Sequence, residues 1–242
     1  MKRYTAILAV TENSGLPVFA TMTFNRDAMT FAGCSAESFA LTAAKLGVTA
    51  LGLNCSFGPA DVFGAAEKIA KASALPLIVK PNAGLPNGVT GEYDLGAHEF
   101  AEQMAAFAGI GAKILGGCCG TNPEYIAALK ERFAGLAPAK PQTFTGRFIC
   151  SRNRAVRIDS PDFSEDSVTV VELEVGMSPE DAASEIANAQ MCTELPLHIV
   201  SQANESLSAA VRAVSGIAAV SLTTPVDEGT LLKLSRLGAE II

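Results

Sequence analysis

Short apolar runs alternate with amphipathic stretches along most of this chain, and the repeat is close to thirty residues. Apolar runs begin near residues 18, 48, 76 and 112, spacings of 30, 28 and 36. That period is the length of one strand, one crossover helix and their loops. The expected strands are Val18–Phe24, Val48–Asn54, Pro76–Pro81 and Lys113–Gly116. Between them, Ser35 caps a helix that Gly47 stops, Pro59 opens one to about Ala72, a third covers Leu95–Ala108, and Pro123 opens a fourth. Alternation resumes with strands Val168–Val175, Leu195–Val200 and Ile217–Leu222, and helices Pro179–Met191, Glu205–Val214 and Asp227–Leu237. Parallel βα units wind right-handed into either a barrel or an open sheet. In both, reactive groups collect at the C-terminal ends of the strands.

Residues 134–142 read as a linker, followed by extended segments at Phe144–Cys150 and Ala155–Ile158. The domain reading is therefore 1–135, a connection over 136–158, and a second βα region over 159–242. Eight strands closing one hybrid barrel is the alternative topology. A net charge of −7 without a Lys/Arg run speaks against a nucleic-acid partner. No run of eighteen apolar residues suggests a membrane span. The start, Met1-Lys2-Arg3-Tyr4-Thr5, leads into a short apolar stretch without a clear cleavage site, so a cytoplasmic location is expected.

The six cysteines are therefore expected to be reduced. Three of them sit where an α/β protein keeps its chemistry. Cys55 follows the second strand, and Cys118 and Cys119 follow the fourth. Neighbouring strand residues point to opposite faces, so two adjacent cysteines cannot share a ligand from a regular strand. Gly116-Gly117 before the pair and Gly120 after it allow a sharp turn, and Thr121 or Asn122 can cap the helix that Pro123 opens. That helix N-terminus favours thiolates beside it.

Three thiolates with an open fourth position form the pattern of a catalytic zinc site. Such a centre carries net charge −1, which suits capture of a further thiol rather than polarisation of a carbonyl. A free thiol with pKa about 8.5 is a few per cent ionised at pH 7, so full ionisation is worth about 2 kcal/mol. The implied chemistry is alkyl transfer to a substrate sulfur. A single Cys at a strand end is ordinarily a small apolar filler, and that reading holds for Cys34, Cys150 and Cys192.

Gly52-Leu53-Asn54-Cys55-Ser56, Lys80-Pro81-Asn82-Ala83-Gly84-Leu85-Pro86 and Gly116-Gly117-Cys118-Cys119-Gly120-Thr121 resemble the homocysteine S-methyltransferase family. Within it, residues 1 to about 135 look most like the homocysteine-binding domain of the cobalamin-dependent, methionine-forming members. The resemblance implies a (β/α)8 TIM barrel with zinc at the C-terminal rim. It implies that Cys55, Cys118 and Cys119 are the zinc ligands and catalytic centre, and that homocysteine sulfur is the fourth ligand. Asn82 falls in a family motif at the same rim as a substrate-binding candidate; a turn-forming Asn after Pro81 is the other reading.

Two departures qualify this. The chain starts at the helix before the family's fifth strand, so four of eight barrel strands are expected, the C-terminal half. The family's early Asp-Gly segment and the acidic end of its fourth strand have no counterpart. A half barrel has two strand edges that something must cover. A partner chain supplying the missing half, or a homodimer, is implied. Residues 168–242 resemble the pterin-binding (folate) domain that follows in those enzymes. There, Glu174, Val200 and Ser221 replace the expected Asn, Asp and Asn, so most pterin-holding groups are changed. His198 on an apolar strand reads as a satisfied histidine, and His98 beside Glu99 and Glu102 as a solvated one. No Asp-x-His-x-x-Gly cobalamin motif occurs. The methyl group is therefore expected from an external methylcorrinoid (cobalamin) on another domain or protein, or from methylfolate. The competing expectation is a truncated, non-catalytic zinc-binding fragment, or one half of a split enzyme.

Overall fold

The computed structural model describes residues 2–140 and 145–242. The end of the expected linker and the start of the expected extended segment at Phe144 lie outside the described residues. The chain is α/β. Two four-stranded sheets, ordered β1-β2-β3-β4 and β10-β9-β8-β7, are parallel throughout, and a small antiparallel pair, β5-β6, forms a third sheet. Two compact units share the described residues: one takes 19–40 and 49–140, the other 2–18, 41–48 and 145–242.

The first unit holds β1 (Phe19–Met22), β2 (Ala50–Asn54), β3 (Leu77–Lys80) and β4 (Ala112–Leu115). β2 and β3 are buried along most of their length, as central parallel strands must be. Gly52 is required in β2, because an added Cβ would overlap the Ile78 backbone carbonyl of β3. Helix α3 (Pro59–Ala72) starts on Pro59 and buries Val62, Ala65, Ala66, Ile69 and Ala72. These positions recur every three or four residues, the spacing of one helix face. The expected third helix is two: α4 (Ala97–Met104), after an extended Gly96, and α5 (Ala106–Gly109). Helix α6 (Pro123–Arg132) locks onto α4 by an edge-to-face contact of Tyr125 with Phe100, 5.4 Å between centroids. The Tyr125 hydroxyl also donates to Leu95 O (2.7 Å). Burial of each such ring is worth about 1.5–3 kcal/mol.

The second unit is built on β7 (Thr169–Glu172), β8 (Leu197–Ser201), β9 (Ala218–Leu222) and β10 (Ala239–Ile241). Helices α7 (Pro179–Cys192), α8 (Glu205–Ala213) and α9 (Glu228–Arg236) alternate with them. Ser178, Asn204 and Asp227 cap these helices, accepting from the backbone N–H of Asp181, Leu207 and Thr230. Each cap is worth about 1 kcal/mol. Ile186, Ile199, Leu207 and Val220 anchor the core. Helix α1 (Lys2–Asn13) adds Leu8 to it, and the residue after helix α2 (Ala36–Lys45) adds Leu46. β5 (Phe148–Cys150) and β6 (Ala155–Arg157) form a hairpin in the same unit. β7 is shorter than the apolar run 168–175 because it lies at a sheet edge: Val170 is exposed, and Gly176 turns the chain at φ 86°. His198 Nε2 lies 2.8 Å from Ser221 Oγ on the neighbouring strand, so the ring has a partner. No helix among the described residues is long and apolar enough to cross a membrane.

Candidate metal centre

Because β1–β4 are parallel, their C-terminal ends share one rim. Cys55 directly follows β2, Asn82 lies just beyond β3, and Cys118 and Cys119 lie just beyond β4. The three cysteine Sγ atoms all fall within 4.8 Å of one another, and those of Cys118 and Cys119 are 4.0 Å apart. Cys34 and Cys150 are buried elsewhere, and Cys192 is exposed; none of them joins the cluster.

The backbone does unusual things to achieve this. Cys55 and Ser56 both have positive φ, 60° and 74°. Left-handed backbone at non-glycine residues costs about 1 kcal/mol or more each and persists where surrounding contacts over-determine it. Those contacts are visible: Cys55 N donates to Lys80 O (3.0 Å), and Asn82 N donates to Phe57 O (3.0 Å). On the other loop, Gly120 turns the chain at φ 79°. Thr121 and Asn122 divide the work between them. Thr121 Oγ1 donates to Cys118 O (2.7 Å), and Asn122 Oδ1 caps α6 by accepting from Glu124 N (2.8 Å).

Asn82 joins the two loops. It is buried, 7% exposed; its Nδ2 donates to Ser56 O (3.2 Å), and its Oδ1 accepts from Cys119 N (3.1 Å). Beside it, Cys118 N donates to Pro81 O (2.8 Å) and Ala83 N donates to Cys119 O (2.9 Å). The three cysteines are thus fixed through backbone that the third strand end supplies. Asn54 Nδ2 donates to Cys55 Sγ (3.2 Å).

One neighbour escaped the sequence reading. The ring of Tyr93 rests on Gly120, beside Cys119, where an added Cβ would overlap it. Burial first, then the neighbouring Cys119, Cys118 and Cys55, push the phenol pKa upward. Tyr93 lies 26 residues before Cys119 on an irregular loop, where neither strand nor helix spacing marks it.

The donor set passes a simple geometric test. Tetrahedral zinc with Zn–S of about 2.3 Å needs sulfurs about 3.8 Å apart. The Cys118–Cys119 separation nearly meets that, and no pair of the three requires a closure of more than about 1 Å. Three soft sulfur donors suit zinc rather than a hard cation.

Residues 1–133 match the family model described as homocysteine S-methyltransferase. Methionine synthase of Mycobacterium tuberculosis is 40% identical over 125 residues, 50% of this chain and 10% of that protein. The Mycobacterium leprae methionine synthase is 39% identical over 114 residues, 46% of this chain and 10% of that protein. The chain therefore spans about a tenth of the length of these curated relatives. Among solved structures, the metallated form of the homocysteine methyltransferase MmuM from Escherichia coli shares 26% identity at a TM-score of 0.42. That match covers 55% of this chain and 42% of that one.

Proposed function

The chain belongs to the homocysteine S-methyltransferase family, and we propose that it holds zinc on Cys55, Cys118 and Cys119 and methylates homocysteine to methionine. The observation that carries this reading is the convergence of three sulfurs from two strand ends within 4.8 Å. Zinc bound there supplies a Lewis acid that keeps the substrate sulfur deprotonated at neutral pH, ready to accept a methyl group. The residues of this chain do the rest. Asn82 holds the two cysteine loops at a fixed separation at the edge of the substrate site, and Asn54 steadies Cys55. The methyl donor comes from outside the chain, a methylcorrinoid on another domain or protein, or methylfolate. Sheet β1–β4 is one half of a (β/α)8 barrel in this reading, with residues 1–135 the homocysteine-binding domain and 159–242 a partial pterin-binding-like domain joined through 136–158. The protein works in the cytoplasm.

A second reading has one observation in its favour. Among the described residues, β1 and β4 each pair on one side only. A zinc-holding half of a split enzyme, completed by a partner chain or a second copy, accounts for that.

Zinc content and proton release test both. The catalytic reading expects one zinc per chain, loss of at least about tenfold in Cys118→Ser, and one proton released when homocysteine is added. Zinc without proton release supports the half-enzyme reading. Absence of zinc from the purified wild type removes both.

A further inference from the structure

The second unit carries a cleft that the cysteine chemistry does not use. Helix α1, the residues that follow α2, and helix α9 meet there. Leu8 and Glu12 lie one turn apart on α1. On α9, Gly229, Leu232, Lys233 and Arg236 fall at i, i+3, i+4 and i+7, so each helix turns one face to the cleft. Its volume is about 460 Å³, inside the range of small-ligand pockets, about 300–1,000 Å³.

The apolar part of the lining is aliphatic. Leu8 and Leu46 are buried members of the core, and Leu232 is 53% exposed. Among the described residues no aromatic ring lines the cleft, so a planar base has nothing to stack on. A saturated chain is the body that these leucines fit, since burying it removes apolar surface on both sides from water.

Charge selects the other end of the ligand. Three cations and one carboxylate border the leucines. Lys45 is taken by Glu240 at 2.7 Å, and Glu12 is offset by Arg212 at 3.5 Å. Lys233 and Arg236 remain, three residues apart on the same face of α9, both exposed and without an ion pair among the described residues. The last turn of a helix favours basic residues by itself. That accounts for their charge, but not for their place beside a leucine-lined cleft in a chain of net charge −7. We propose that this cleft binds a small aliphatic anion, its carboxylate or phosphate held between Lys233 and Arg236 and its chain laid on Leu8, Leu46 and Leu232. The inference is independent of the zinc reading.

The test is isothermal titration of the 242-residue chain with octanoate and with octyl phosphate, beside inorganic phosphate (head alone) and octanol (chain alone). Saturable binding of octanoate or octyl phosphate at one site per chain is expected, and the tighter of the two identifies the head group. Lys233→Ala and Arg236→Ala are each expected to weaken it about tenfold, the cost of one charged contact. Both side chains are exposed, so circular dichroism of these variants should match wild type. Leu232→Asn is expected to weaken both probes while leaving the response to inorganic phosphate unchanged. Failure of both probes to bind overturns the proposal. So does inorganic phosphate binding as tightly as the probes, since the leucines then play no part, or octanol doing so, since the cations then play none. Wild-type affinity in both Lys233→Ala and Arg236→Ala places any binding elsewhere and also overturns it.

Discussion

Cys55 and Ser56 sit side by side in left-handed backbone, an arrangement that L-residues avoid. What holds them is Asn82, whose amide bonds Ser56 with one end and the backbone of Cys119 with the other. Removing it takes a partner from the part-buried bonds to the Cys119 N–H and the Ser56 carbonyl, at about 0.5–1.5 kcal/mol each. Asn82→Ala is therefore expected to melt earlier in denaturant. It is also expected to lose zinc to a chelator at about 10–100-fold lower chelator concentration. A variant that keeps wild-type zinc affinity would show that the loops hold themselves. The cysteines were legible in the sequence because strand ends and flanking glycines mark them. The job of Asn82 in joining the loops was not, since an Asn after Pro81 reads equally well as a turn. Tyr93 was invisible for a different reason: its ring reaches Gly120 through loop conformation, which has no period.

At the scale of elements, parallel βα spacing placed β1–β4 and β7–β9 to within a few residues. The differences have local causes, such as the edge position of β7 and the extended Gly96 that delays α4. The part played by α1 and the end of α2 was not legible, because an apolar helix face does not say which core it covers. In the second unit α2 also carries a charge contact: Lys45 Nζ lies 2.7 Å from Glu240 Oε2 on β10, and Arg147 Nε lies 2.7 Å from Glu240 Oε1. Burial by itself would raise the Glu240 pKa, but the bonds from Lys45 and Arg147 outweigh it and hold the carboxyl below its ordinary value. A depressed carboxylate stabilises the fold above the pH where the unfolded residue ionises, and that stability is lost as pH falls through the native value. Wild type is expected to lose stability from about pH 5 downward, and Glu240→Gln to show a shallower loss by about 1 kcal/mol. Equal slopes in urea melts at pH 6 and pH 3.5 would contradict this.

At the scale of the whole molecule, the cysteine centre lies in the first unit, and the chain covers a tenth of the curated relatives it matches. In the proposed function this chain activates the substrate sulfur, and the methyl group comes from outside it. The most direct test is zinc K-edge X-ray absorption on the purified chain, before and after homocysteine. The account predicts three sulfur ligands at about 2.3 Å, rising to four when homocysteine is added. A first shell dominated by nitrogen or oxygen, or a sulfur count that also falls short of three in the presence of homocysteine, would contradict it.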